Sequence, residues 1–459
     1  MPDKTVRIFG FLDLGITKRT LKTIAIVVVV LLALLLCTRL VAVLILGGRF
    51  DARVSELRGR GEPVSPSELI PASVPDKQNA ALLYELAFEK VDVTSKEVER
   101  LEKLADKRDP LTPQEMRELQ TLLKNYEDPL RLMREGTKRR QCRFTFNYGR
   151  PWYKRDMSHL RHLSLFASWL RLASHTHLAG GKLDEAVQEC VTIVRLAHSL
   201  GGEPDMVTML VQMGIYGNGF KALENVMDRS DPSPTTLRQF VEAVGKVDDR
   251  SRFVFAMQAE RAEWLPKIRR GFDVPREYLE GVTLGERGPP SSRRLSGFIL
   301  RAWHLADGLE YLDLMGKYVA LAGKPWHKAR GEWEGQYERI QRMASPFRAP
   351  VTFYLVVGGY QQTAHNFERL IARKALAKLA VALRRYRMKH GRYPESLAAL
   401  VPEFAKKLPV DPFNGTDFIY RIDGQGFILY SVDVDGKDNG GVDDWAKCDE
   451  RDVVWRCSR

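Results

Sequence analysis

The run Ile24–Leu46, IAIVVVVLLALLLCTRLVAVLIL, constrains this chain more than any other stretch. A helix rises about 1.5 Å per residue, so the run is long enough to cross a hydrocarbon core of roughly 30 Å. Its one charge, Arg39, stands towards the C-terminal end, where a long side chain can carry its guanidinium to the interface. The run is too long for a cleaved signal peptide, and Gly47-Gly48-Arg49-Phe50 after it lacks a cleavage pattern of small residues. Leu36 stands before Cys37 where a lipoprotein cysteine needs a small residue. We therefore expect a tail over residues 1–22 and a retained single-span anchor over residues 23–47. Lys4, Arg7, Lys18, Arg19 and Lys22 flank the anchor on one side, and Arg49, Arg53, Arg58 and Arg60 on the other, so the charge bias is small. A short tail and one anchor favour a cytoplasmic N-terminus, with the bulk periplasmic or otherwise outside the cytoplasm.

A hydrophobic share of 44% with 28% charged residues is that of a folded chain, not a disordered one. The net charge of +13 makes an anionic surface a candidate partner, although a basic surface with no dedicated partner fits equally well. No motif points to a specific nucleic acid. Among the five cysteines there is no CxxC pair, which argues against a zinc ribbon or a thioredoxin-type site. Cys448 and Cys457 lie close together in sequence; outside the cytoplasm they are either a disulfide or two thiols.

Residues 48–78 read as a linker, because Gly59, Gly61, Pro63, Pro66, Pro71 and Pro75 break up any long helix. Residues 79–348 read as a helical domain. Apolar residues recur at helical spacing in Ala80–Lys90 and Ser95–Leu104, and Thr112-Pro113 opens a further helix. Leu160–Ala179 is amphipathic, Gly180-Gly181 ends it, and Lys182-Leu183-Asp184-Glu185-Ala186 starts the next helix. That succession is either a tetratricopeptide-like hairpin or part of an ordinary bundle. Gly281–Ser296 reads as a loop, and Ala349–Tyr360 is apolar but too short to span a bilayer.

Residues 349–459 read as a C-terminal α+β domain. A helix over Asn366–His390 has a continuous apolar face and a basic one, from Arg373 to Lys389, and stops at Gly391. A second helix is expected over Glu395–Val401. Asp417–Ile422 and Gly426–Val432 alternate around Asp423-Gly424-Gln425, which predicts a hairpin, and Asp452–Trp455 is a candidate third strand. The fold class is thus mainly α: a transmembrane helix, a helical bundle and a C-terminal α+β domain.

The loop between the second and third strands holds Asp433, Asp435, Asp438, Asp443, Asp444, Asp449, Glu450 and Asp452, interleaved with Gly436, Gly440 and Gly441. Calcium takes six to eight oxygens, and a glycine-rich backbone can fold tightly enough to converge several. So many carboxylates without a cation would repel one another. The donors are all oxygen, which favours calcium over zinc. The loop is not an EF-hand, since Val442 stands where the twelfth-position Glu belongs. A solvated acidic loop resting on the basic helix is the plainer alternative.

The last ~90 residues also resemble the soluble part of the type II secretion major pseudopilin. The order and spacing of ALRRYRMKHGRYPESLAAL, KKLPVDPFNG, ILYSVDVDG and GKDNGGVDD…DVVW all match that family. The resemblance implies a structural calcium ion in the loop, with Asp435, Asp443 and Asp452 as carboxylate ligands and Val432 as a backbone carbonyl. Asp433, Asp438 and Asp444 are further candidates. The inserted WAKCDER between Asp444 and Asp452 departs from the family pattern and leaves Asp449 as an alternative last ligand. At the N-terminus Gly10-Phe11 and Asp13 do not stand as a pseudopilin requires, so the module looks borrowed.

His159, His162, His175, His177 and His198 form the other constellation, but no helical His pair brackets a glutamate. Surface or capping roles are expected for them. No GxxxxGK[ST], GxGxxG or GxSxG motif is present. These readings add up to a membrane-anchored envelope protein with a structural or interaction role, a protein partner in the envelope and a calcium-stabilised module. The alternatives are an enzyme with its site near Trp152–His177, or a domain that binds an anionic polymer through the basic helix.

Overall fold

A computed structural model of the protein describes residues 18–107, 111–145, 155–245, 248–270, 290–343, 359–443 and 451–458. Most of them are helical, and one small antiparallel sheet lies near the C-terminus. The chain divides into two compact units. One takes in the described parts of Met1–Glu62 and Leu265–Asp313. The other takes in those of Pro63–Trp264, Leu314–Ala344 and Phe353–Arg459.

The first unit is built on α1, Lys18–Gly59. It contains the expected anchor but runs past it, through residues 48–59, where a linker was expected. Gly47 and Gly48 each weaken a helix by about 1 kcal/mol relative to alanine. Tertiary contacts offset this: Phe50 and Leu57 are buried, and Asp51 receives Arg269 through both carboxylate oxygens at 2.7 and 2.8 Å. Arg269 belongs to α10, Asp249–Arg270. Gly308 in α11, Pro290–Ala322, lets Phe50 and Ile268 lie against its backbone, a space that a Cβ would fill. The apolar stretch of α1 is the one helix among the described residues long and apolar enough to cross a membrane, and its most apolar window is 0% buried.

The second unit begins with short helices: α2, Ala81–Phe88; α3, Lys96–Asp106; α4, Pro113–Asn125; and α5, Glu127–Gly136. Ser95 caps α3, and Thr112 forms a reciprocal capping box with Glu115 at the start of α4, where the sequence predicts a helix to open. Its centre is α6, Ser158–Ala179; α7, Leu183–Ser199; and α8, Met206–Arg229, each packed on the other two. Gly219 brings α8 close to Ile193 and Val194 of α7, and Asp205 caps α8 by accepting the Thr208 N–H at 2.7 Å. The helix α9, Pro234–Gly245, covers α7.

After α12, Trp326–Met343, the long helix α13 runs from Tyr360 to His390, starting earlier than the expected Asn366. Gly391 ends it with φ +77°, as predicted. The expected helix over Glu395–Val401 is only a 3-10 turn, Leu397–Leu400. Pro402 disfavours helical geometry in the residue before it, and Val401 is extended. The sheet has the order β1 (Ile419–Asp423), β2 (Gly426–Ser431), β3 (Val453–Cys457), antiparallel throughout, with Tyr420 opposite Leu429 and Leu429 opposite Trp455. Gly424, at φ +58°, makes the tight turn of the hairpin.

This sheet and α13 do not stand apart from the helical elements. α13 packs on α8, α9, α12, β2 and β3 within one compact unit. Its basic face is partly interior. Lys374 is buried with its Nζ 2.6 Å from Asp249, and fully buried Arg384 donates to Asp231 at 2.5 Å and to the Met227 carbonyl. Asp249 of α10 and Asp231 of the loop after α8 thus pair with two of the basic residues of this helix.

Candidate functional site

The aspartate loop starts where β2 ends, and buried Asp411 fixes that start. Its carboxylate accepts from the Phe413 N–H at 2.9 Å, the Ser431 hydroxyl at 2.8 Å and the Val432 N–H at 3.2 Å. Burial still pushes its carboxyl above the ordinary range. Val432, a predicted carbonyl ligand, is buried at this point.

The next aspartate turns inward. Asp433 has a left-handed backbone, φ 52°, and is 1% exposed. Arg369 of α13 donates from Nε to both of its carboxylate oxygens, at 2.8 and 2.9 Å, and Arg451 approaches to 3.4 Å. Its negative charge is thus neutralised by guanidinium groups.

The other predicted ligands organise the loop backbone. Asp435 accepts from the Lys437 N–H at 3.1 Å and the Asn439 side chain at 2.9 Å. Asp438 accepts from the Tyr430 hydroxyl at 2.7 Å and the Gly440 N–H at 2.9 Å, and the Tyr430 bond holds its carboxyl below the ordinary value. Asp452, 1% exposed, accepts from the Gly441 N–H at 2.7 Å and the Asn439 N–H at 3.5 Å. Burial pushes its carboxyl up, and Asp438 adds to the effect. Asn439 therefore links Asp435 and Asp452. Asp443 is exposed at the rim. Asp444, Cys448, Asp449 and Glu450 lie outside the described residues. Among the described residues no three His, Cys, Asp or Glu side chains converge in a way that could hold a metal ion.

No family model, curated protein or solved structure matches this chain.

A cleft of about 900 Å³ opens beside the loop. Asp443 lines it together with Arg171 and His175 of α6 and Lys221, Asn225 and Arg229 of α8. Leu104 of α3, Leu178 of α6 and Leu183 of α7 give it apolar walls. Arg171 is fixed in place: Nε donates to Asn218 at 2.8 Å and Nη2 to the Ala105 carbonyl. The local field is positive. Burial, then Arg171 and Arg229, press the His175 imidazole down to about 4, so it is neutral at pH 7. Lys221 reaches solvent, but the packed protein around it partly desolvates its ammonium group, and this, then Arg373 and Arg171, lowers it. The spacing 218, 221, 225, 229 is a polar helical stripe visible in the sequence, as is 168, 171, 175. That the two stripes face one cleft was not.

The remaining histidines divide between surface and interior. His162 donates from Nδ1 to the Ser158 carbonyl, 2.9 Å away, within its own helix. His159 departs from the expected surface role. It is buried, lies against Phe144, and stands 3.1 Å from both carboxylate oxygens of Glu203. Trp152 lies outside the described residues.

Proposed function

We propose that this chain is a single-span membrane protein with its bulk in the periplasm, acting as a structural or interaction component of an envelope or secretion assembly. The observation that carries the reading is α1: a continuous helix whose most apolar window is covered by none of the described residues. Such a surface in water would be a strong aggregation site, and a bilayer is the solvent that fits it.

In this reading the sheet and α13 form a pseudopilin-like element, stabilised by calcium. The fit of the loop to a hard cation rests on Asp452, a buried carboxylate whose described donors are backbone amides and whose ionised form burial opposes. Asp435, Asp438, Asp443 and the Val432 carbonyl are the other donors available to it, with Asp444 beyond the described residues. Asp433 is committed to Arg369 and falls outside this set. Bound calcium would supply charge neutralisation to the loop.

Two measurements test the proposal. In spheroplasts, with the outer membrane opened and the inner membrane intact, added protease should degrade the chain and leave the membrane span and tail; digestion only after lysis of the spheroplasts would overturn the periplasmic placement. The full chain in detergent should melt higher in calcium than in chelator. An unchanged melt removes the ion from the proposal.

A further inference from the structure

We propose that the cleft between α3, α4, α6, α7 and α8 binds a small phosphate ester with an apolar substituent. This goes beyond the anchoring and assembly role above and does not depend on it.

Four basic side chains line the cleft: Lys107 is paired with Glu115 at 2.7 Å, and the other three are Arg171 from α6 and Lys221 and Arg229 from α8. Asn225, Ser168 and Ser230 add neutral hydrogen-bonding groups. Among the described lining residues the acid is Asp443, at the rim, and it acts on Lys221 along with Glu224. Lys221 is exposed and forms no ion pair or hydrogen bond with the described residues. Arg171 is braced by Asn218 and Ala105, so its orientation is set before any ligand arrives. Preorganised donors of this kind reduce the entropy that binding must overcome.

Three cations suit a dianion better than a carboxylate, which brings one charge. Phosphate also offers enough oxygens to meet several donors at once. Leu104, Leu178 and Leu183 need an apolar group to cover them, so free phosphate would leave part of the cleft wet. A volume of about 900 Å³ is within the range of small-molecule sites. The same chemistry occurs on a soluble ester and on a lipid headgroup.

The test uses the full chain in neutral-lipid nanodiscs, titrated calorimetrically with butyl phosphate, butanoate and inorganic phosphate. Butyl phosphate should bind most tightly, and its affinity should fall as salt rises. Lys221→Gln should weaken it by about tenfold, the worth of one charge-assisted hydrogen bond, and Lys221→Glu by more. Lys182→Gln, an exposed change outside the cleft, should leave it unaltered. Lys221 is exposed, so both variants should keep the wild-type melting temperature. Nanodiscs containing phosphatidic acid separate the sources: competition with butyl phosphate identifies a lipid headgroup, and its absence a soluble ester. No binding of butyl phosphate, equal binding of butanoate, or unchanged affinity in Lys221→Glu overturns the proposal.

Discussion

Arg369 holds Asp433 through both carboxylate oxygens, at 2.8 and 2.9 Å, and so joins the long helix α13 to the first turn of the aspartate loop. Asp433 sits among eight acidic residues between β2 and β3 and is chemically indistinguishable from them in the sequence. Its partner is 64 residues away. What separates it from its neighbours is the side of the backbone it faces. Its left-handed φ of 52° turns the carboxylate towards α13, while Asp435 and Asp438 close turns within the loop.

Asp433→Asn should destabilise the protein by about 3 kcal/mol, because it leaves a largely buried guanidinium short of its counter-charge. Asparagine tolerates the left-handed backbone, so the loss reports the charge and not strain. Urea denaturation measures it. Arg369→Met should cost a similar amount, and the double variant less than the sum. Additive losses would show that the two side chains do not act as a pair.

Lys374 and Asp249 present a second buried pair, 2.6 Å apart, with Lys374 also over the Tyr216 ring. Lys374→Ala should cost about 3–5 kcal/mol by stranding Asp249. Lys374→Met with Asp249→Leu should recover most of that loss, since apolar groups of similar volume need no counter-charge. Thermal melts of the three variants separate the pair's cost from its packing. A double variant no better than Lys374→Ala would contradict this account.

Glu224 sets a pH dependence. Burial pushes its carboxyl from 4.5 up to about 7, against the opposing pull of the Arg456 N–H at 2.9 Å. The folded chain therefore holds this proton more tightly than the unfolded chain. Its stabilising contribution is complete below about pH 4.5 and is lost as pH rises through about 7. The slope in that window is at most about 1.4 kcal/mol per pH unit. Glu224→Gln keeps the shape and removes the titration, so the stability difference between variant and wild type should change across the window. A difference that stays constant with pH would mean that this carboxyl is not raised.

Gly441 combines two restrictions. Its φ is +78°, and a Cβ there would run into Ile428 of β2. Gly441→Ala should cost more than the roughly 1 kcal/mol of left-handed strain alone. Gly391→Ala is the control, with φ +77° and open space around it. If the two cost the same in urea, the contact with Ile428 carries no energy.

The sequence was most informative where local rules decide. Thr112 with Glu115, Ser95 and Asp205 cap helices as their side chains allow, and Gly391 ends α13, because these interactions span only a few residues. The hairpin around Gly424 follows from alternation and one tight turn. Where long-range contacts decide, the local reading fell short. Residues 48–59 carry helix-weakening glycines yet remain helical because Asp51 meets Arg269, 218 residues later. Glu395–Val401 is a different case: there a local signal, Pro402, limits the segment to a single 3-10 turn.

The sequence by itself determined the long apolar helix, the register-setting turns and the carboxylate-rich character of the loop, since length, periodicity and side-chain chemistry need no partner. Only the tertiary structure decided where the charges go. It turned Lys374, Arg384 and Asp433 inward as pairs, and brought the polar stripes of α6 and α8 to one cleft beside Asp443. A charge is indifferent to sequence distance. Whether it is solvated or paired depends on which opposite charge the packed helices bring within reach, and that is settled only once the core has formed.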